Sequence, residues 1–150
     1  MNRKTFLLPI LMLFIIGLSA CESEEQENVM HNPAIEAMAG KVLDAIQAGD
    51  YEALANLYGA DFYKTKAPEE WVGELKTYLA ERGPLQSYSL RKSQADTRFS
   101  GKFYIMEYSS VHDGNKRLHH LITIVSPVAG GAPQIVGHKI TPWEAKEKSG

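Results

Sequence analysis

The spacing of apolar residues changes once along this chain, at Gly83-Pro84, and that change constrains the fold more than any other feature. Before it, apolar residues recur every three or four positions, which is the spacing of one face of an α-helix. After it, runs rich in β-branched and aromatic residues alternate with polar ones, as strands do. The sequence therefore predicts an α+β fold in which helices come first and an antiparallel sheet wraps over them.

Three helices are predicted before this change. Asn32-Pro33 begins the first, because Asn caps a helix and Pro suits its first position, and Gly49 ends it. Asp50 caps a short second helix over 51–58, and the third covers 68–82. Their apolar faces are Ile35, Met38, Val42 and Ile46, then Leu54, Leu57 and Tyr58, then Trp71, Leu75, Tyr78 and Leu79. These faces are predicted to supply the inner layer of one domain.

Four strands are predicted after the change, over residues 85–95, 102–112, 116–128 and 134–141. Asp113-Gly114 lies between the second and third, and Gly accepts the positive φ of a tight hairpin turn. The order of elements predicts one folded domain over 32–143 and a frayed tail over 144–150.

Length and composition exclude several classes of protein. The chain has 150 residues and a formal net charge of −2, which fits one domain and provides no basic face for nucleic acid. Its single cysteine, Cys21, excludes an internal disulfide and a Cys-rich zinc site. The sequence has no P-loop, no dinucleotide-binding glycine motif and no Gly-x-Ser-x-Gly. No cofactor is therefore expected.

The N-terminal segment has the pattern of a targeting signal. Two cations precede an apolar run over 6–17 that is too short to span a bilayer, which is typical of a secretory signal peptide. The Leu18-Ser19-Ala20-Cys21 that follows resembles the lipobox of bacterial lipoproteins. That resemblance implies cleavage after Ala20, so that residues 1–20 are the signal peptide, and acylation of Cys21.

The residues that follow the cysteine predict a tether on a membrane. Residues 22–28 are polar and acidic, so 21–31 is expected to be a flexible tether. Several acyl chains anchor a protein stably, which places the mature chain on the membrane surface of a bacterial envelope. Glu22 stands where an Asp would, by the rule of that lipoprotein family, favour the inner membrane. The periplasmic face of the outer membrane is therefore expected in a Gram-negative host.

One longer segment resembles a known superfamily. The turn Ala48-Gly49-Asp50 through Leu57-Tyr58, with Asp61-Phe62-Tyr63 and the run over 70–88, resembles the nuclear-transport-factor-2-like superfamily. Ketosteroid isomerase and scytalone dehydratase share that fold, and small envelope lipoproteins without an assigned activity are similar too. Over about 33–141, the resemblance implies a cone-shaped half-barrel, three helices in a curved four-stranded sheet. The general base and oxyanion hole of the isomerase branch have no counterpart here, so its activity is not implied.

Two residues of the sheet are the catalytic candidates. A two-residue loop, either Asp113-Gly114 or Gly114-Asn115, leaves Glu107 and His120 on the same sheet face, where a carboxylate and an imidazole can do acid–base chemistry. A three-residue loop instead pairs Glu107 with Leu121 and brings His119 to its face. The candidates for lining a ligand pocket are Tyr58, Tyr63, Trp71, Glu107 and His120.

The functional expectations follow from the anchor and from the lack of a catalytic motif. A metal site is not expected, because the adjacent His119 and His120 point to opposite faces of a strand and no histidine pair has helical i, i+4 spacing. We expect a non-enzymatic envelope lipoprotein that binds a small apolar ligand or an envelope protein. The alternative is a small isomerase- or dehydratase-type enzyme using a carboxylate with a histidine or a tyrosine. The resemblance also implies a homodimer through the open sheet face.

Overall fold

The computed structural model describes residues 32–143; the predicted signal peptide, Cys21, the tether and the tail lie outside this range. The elements are α1 (Pro33–Ala48), α2 (Tyr51–Leu57), α3 (Pro68–Ala80), β1 (Leu85–Arg98), β2 (Gly101–His112), β3 (Lys116–Pro127) and β4 (Gln134–Pro142). Short 3₁₀ turns occupy Phe62–Lys64 and Asp113–Asn115. This order confirms the predicted α+β half-barrel. No helix within the described range is long and apolar enough to cross a membrane.

The helix ends lie close to where local capping chemistry predicts them. The Asn32 side chain accepts a hydrogen bond from the Ile35 backbone N–H at 3.3 Å. The Asp50 carboxylate accepts one from the Ala53 N–H at 2.9 Å. Gly49 ends α1 with φ of 67°, a left-handed conformation that costs glycine little. These caps pair backbone groups that a helix end otherwise leaves without partners.

The four strands form one antiparallel sheet in the order β1-β2-β3-β4. Irregularities interrupt β1 between Leu85 and Ser87 and between Leu90 and Lys92, and a third lies between β3 and β4 beside Thr123. Such bulges bend a strand and increase its twist, which curves the sheet around the helices. β1 extends beyond the predicted end at residue 95 because it pairs with β2 as far as Arg98, opposite Gly101.

The core lies between α1 and the concave face of the sheet. From α1 it takes Val42 and Leu43, which are fully buried. From the sheet it takes side chains that alternate along the strands, namely Tyr104, Met106, Tyr108, Leu118, Ile122, Ile124 and Ile135. The face with Tyr104, Met106 and Tyr108 is thus the inner one, a point that the sequence left open.

Two glycines are expected to respond in opposite directions to a change to alanine. A Cβ on Gly101 would lie 2.6 Å from the Ser126 backbone oxygen, which cannot rotate away. Gly101→Ala is therefore expected to lower the free energy of unfolding by about 1–3 kcal/mol. Gly73, inside α3, has nothing within 4 Å of a Cβ, and Gly73→Ala should raise that free energy by about 0.5–1 kcal/mol. Urea unfolding measures both. An unchanged stability in Gly101→Ala would contradict the close contact at that position, and a loss in Gly73→Ala would contradict the open space beside Gly73.

Candidate functional site

A continuous chain of hydrogen bonds crosses the interior of the domain. Tyr58 Oη lies 2.7 Å from His138 Nδ1, and His138 Nε2 lies 3.1 Å from His120 Nδ1. Ser110 Oγ lies 2.8 Å from His120 Nε2 and 3.0 Å from His112 Nε2. The chain ends where His112 Nδ1 lies 2.9 Å from the Gly83 carbonyl oxygen. His112, His120 and Ser110 are all fully buried.

The side chains of this hydrogen-bond chain come from β2, β3 and β4 and from Tyr58, which follows α2. Ser110 and His112 occupy alternate positions of β2, on the inner face that also carries Tyr108. His120 enters from β3, and His138 from β4, where it pairs with Ile122. Tyr58 follows α2 directly and bridges to β4 at Ile135. Groups that lie far apart in sequence therefore meet only when the sheet has closed over the helices.

The Gly83 carbonyl determines the position of every proton in this chain when the histidines are neutral. A carbonyl only accepts, so His112 Nδ1 must donate to it and His112 Nε2 must accept from the Ser110 hydroxyl. The hydroxyl has one proton, so it accepts from His120 Nε2–H. The same logic makes His138 Nε2 donate to His120 and makes the Tyr58 hydroxyl donate to His138 Nδ1. All five hydrogen bonds then run in one direction.

Burial keeps His120, His138 and Tyr58 neutral. It lowers the pKa of His120 well below 6.5, and the neighbouring His138, His112 and His119 lower it further. Burial also lowers the pKa of His138, from 6.5 to about 3. Burial raises the pKa of the Tyr58 hydroxyl. A charged member would cost the free energy of moving an ion out of water, so the neutral chain is the stable one near pH 7.

A cavity of about 350 Å³ lies between α3 and β4, at the His138 end of the chain. Its walls are mostly aromatic and aliphatic, with Glu74 and Lys139 also taking part, and they comprise Trp71, Glu74, Leu75, Tyr78, His138, Lys139 and Ile140. Trp71 Nε1 and Tyr78 Oη are buried and have no hydrogen-bond partner among the described residues. We call this space the α3–β4 cavity.

A second cavity, of about 300 Å³, lies at the other end of the chain. It is lined in part by His112 and Gly83, and also by Tyr51, Leu79 and Leu85. The hydrogen-bond chain therefore runs through the core from one cavity to the other.

An aromatic cluster holds the Tyr58 end of the chain in place. The rings of Tyr58 and Phe62 stack with centroids 4.2 Å apart, and Trp71 meets Tyr58 edge-on at 6.1 Å. Tyr63 packs against the same rings, but its hydroxyl donates to the Ala55 carbonyl oxygen at 2.7 Å. Of the three predicted aromatic pocket residues, Trp71 lines the α3–β4 cavity, Tyr58 lies behind His138, and Tyr63 supports the cluster.

The predicted juxtaposition of Glu107 with His120 is wrong. The connection between β2 and β3 contains three residues, Asp113–Asn115. Within it, Gly114 and Asn115 both adopt positive φ, at 67° and 58°. Glu107 therefore pairs with Leu121, and its carboxylate lies 3.4 Å from His119 Nε2 on the outer face. His120 points inward. This is the arrangement that the sequence predicts for a three-residue loop.

Four members of the site were not candidates from the sequence: Ser110, His112, His138 and Tyr78. Alternation along β2 connects Ser110 and His112 with Tyr104 and Tyr108, so this pair could have been found once the inner face was known. His138 carries no such local signal, because its direction depends on the irregular pairing of β4. Across residues 32–143, no three His, Cys, Asp or Glu side chains are grouped as metal ligands.

Comparisons with known proteins support the fold and give no information about function. No protein-family model matches the chain, and no curated protein matches it. The structure of Bd1075 from Bdellovibrio bacteriovorus is similar with a TM-score of 0.50 and 11% identity, over 74% of this chain and 40% of that one. A structure from Catenulispora acidiphila is similar with a TM-score of 0.51 and 12% identity, over 72% of this chain and 88% of that one.

These neighbours bear on the fold alone. They share an α+β sheet architecture that is compatible with a nuclear-transport-factor-2-like fold. The chain spans less than half of the length of Bd1075. At 11% and 12% identity, neither structure carries an argument about activity.

Proposed function

We propose that this chain is a membrane-anchored envelope lipoprotein of the nuclear-transport-factor-2-like superfamily, and that its domain binds a small, largely apolar ligand in the α3–β4 cavity. The anchor rests on Leu18-Ser19-Ala20-Cys21 after a basic and apolar leader. The superfamily rests on the turn around Gly49-Asp50 and on the half-barrel arrangement. The proposal that the domain binds a ligand without catalysing a reaction rests on the α3–β4 cavity.

The two unpaired donors in the cavity wall are the observation that carries the proposal. A buried N–H or O–H without a partner costs about 1–3 kcal/mol, and native proteins pair nearly all such groups. Trp71 Nε1 and Tyr78 Oη are both buried and unpaired among the described residues, and both side chains line the cavity. A ligand that brings an oxygen acceptor satisfies them. Leu75 and Ile140 supply the apolar contacts, and the volume lies in the range of small-molecule sites.

The other polar groups of the cavity favour binding over catalysis. Both nitrogens of His138 are used within the hydrogen-bond chain, so its imidazole has no free lone pair to take a substrate proton. Glu74 forms an ion pair with Lys66. Neither residue is a free general base, which an isomerase or a dehydratase would need. A few polar groups within mostly apolar walls are instead the usual composition of a ligand pocket.

A matched pair of probes tests the proposed acceptor. 2-Acetonaphthone and 2-isopropenylnaphthalene have nearly the same shape, but only the ketone has an oxygen acceptor. We expect the wild-type chain to bind the ketone about tenfold more tightly, because a new hydrogen bond to an unpaired donor is worth about 1.4 kcal/mol. The preference should disappear in the double variant Trp71→Phe/Tyr78→Phe. Binding is measured by NMR titration.

The control removes a hydroxyl elsewhere. Tyr88 Oη donates to the Asp44 carboxylate at 2.6 Å, away from the cavity, so Tyr88→Phe should keep the preference for the ketone. If the wild-type chain binds both probes equally or binds neither, the proposal of an acceptor-bearing ligand in this cavity is wrong.

A further inference from the structure

Two large hydrophobic side chains of the described range are conspicuously exposed. Phe99 and Val128 have relative exposures of 104% and 71%. Phe99 lies in the turn between β1 and β2, and Val128 in the loop between β3 and β4. Isolated exposed apolar residues are common on protein surfaces and need no explanation, so the question is whether these two act together.

The two loops lie side by side. The Val128 N–H donates to the Ser100 carbonyl oxygen at 3.3 Å. The loop over 127–133 reads Pro-Val-Ala-Gly-Gly-Ala-Pro and contains no polar side chain, and its residues 128–132 are all exposed. Surface loops are ordinarily polar, so this composition is unusual. We call residues 99–100 and 127–133 together the apolar tip.

The opposite end of the sheet has the ordinary polar composition. There the β2–β3 turn is Asp113–Asn115, and Lys116 donates to the Glu81 carbonyl oxygen at 2.9 Å. Glu81 itself is exposed. The apolar character is therefore confined to one end of the domain, which gives the domain a direction.

The chain enters the domain at the end that carries the apolar tip. Asn32, the first described residue, donates from Nδ2 to Tyr104 Oη at 3.4 Å. Tyr104 lies three residues after Gly101, where β2 leaves the tip. The tether over 21–31 joins Asn32 to Cys21, and a chain of that length spans at most about 40 Å. The tether to the predicted lipid is thus attached at the end of the domain that carries the apolar tip.

We infer that the apolar tip inserts at the boundary between the headgroups and the acyl chains of the bilayer to which the chain is anchored. The inference rests on the proposed acylation of Cys21. Phe99 and Val128 would lose their contact with water there, and one lipid anchor plus a second membrane contact holds a protein more firmly than either alone. Arg98 and Lys102 flank the β1–β2 part of the tip in the sequence. Arg98 Nε lies 2.7 Å from Asp96 Oδ2, so this carboxylate offsets the charge of Arg98. The insertion orients the domain with its polar end away from the membrane.

Quenching by brominated lipid tests this orientation. The full chain, purified with its lipid, is reconstituted into vesicles of dibrominated phosphatidylcholine. Phe99→Trp places a reporter in the tip, and Glu81→Trp is the matched control at the polar end; the wild-type signal of Trp71 and Trp143 is subtracted. We expect the reporter at position 99 to be quenched at least about twofold more than the reporter at position 81. The intact mass of the mature chain reports acylation of Cys21 separately.

The outcomes distinguish a failure of the proposed insertion from a failure of the proposed lipid anchor. If the acylated chain floats with the vesicles and neither reporter is quenched, the insertion is wrong and the anchor stands. If the reporter at position 99 shifts to the blue without quenching, protein covers the tip, as in a pair of copies, and the insertion is again wrong. If the mass shows no lipid and added vesicles change neither reporter, the anchor and the insertion both fail.

Discussion

Lowering the pH from 7 to 5 is expected to reduce the free energy of unfolding by about 2 kcal/mol through His138 alone, with His120 adding to the loss. In the unfolded chain these histidines take up protons near pH 6.5. In the folded chain, burial lowers the pKa of His138 to about 3 and the pKa of His120 well below 6.5. The unfolded state therefore binds more protons in this window. The stability is complete above pH 6.5 and is lost progressively as the pH falls towards 3.

Urea unfolding at pH 7, 6 and 5 measures this dependence. His138→Gln should lower stability at every pH, since it breaks the hydrogen-bond chain, but it should also flatten the slope of stability against pH. That flattening separates the titration from a simple packing loss. His119→Gln is the control, because it removes a histidine from the outer face and leaves the buried chain intact. A wild-type slope near zero between pH 7 and 5 would show that the interior histidines are not held neutral.

Replacing Ser110 by alanine is expected to lower the free energy of unfolding by about 2–4 kcal/mol. The change removes the one group that joins His120 to His112, and it leaves the His120 Nε2–H and the acceptor His112 Nε2 buried without partners. Each unpaired buried group costs about 1–3 kcal/mol, which is a large part of the stability of a domain of this size.

The preceding residue on the same strand, Ser109, is a matched control. Ser109 Oγ lies 3.0 Å from Ser89 Oγ on the outer face. Ser109→Ala removes a hydrogen bond of the same kind without orphaning a buried ring nitrogen, and should cost less than about 1 kcal/mol. Chemical unfolding of both variants at pH 7 gives the comparison. Equal losses at the two positions would mean that the hydrogen-bond chain contributes nothing beyond its individual contacts.

The direction of the hydrogen-bond chain also bears on what the α3–β4 cavity can hold. Because His138 donates to His120 and accepts from Tyr58, it offers the cavity the apolar edge of its ring and no free nitrogen. The cavity is therefore more apolar than its composition indicates. The unpaired Trp71 and Tyr78 donors, together with Glu74 and Lys139, then remain as the polar groups of the cavity wall.

Local chemistry determined much of the fold from the sequence alone. Asn32, Gly49, Asp50 and Pro68 act on the backbone within one helical turn, and the structure begins or ends its helices at these residues. The change of period at Gly83-Pro84 separates helices from strands for the same reason, since side-chain spacing along a strand or a helix is a local property. The lipobox pattern is local too, and it remains a prediction about residues outside the described range.

The tertiary structure determined which side chains come together in the site. A single extra residue in the turn Asp113–Asn115 moves Glu107 from His120 to His119, because a shift of one residue in register turns every side chain of a strand to the other face. The irregular pairing beside Thr123 likewise determines where His138 points. The five hydrogen bonds join residues as far as 80 positions apart, Tyr58 and His138, so no pattern within either segment announces their contact. Sequence alone determined which elements form and in what order, whereas closure of the sheet over the helices brought the histidines together, because register and burial are properties of the whole fold.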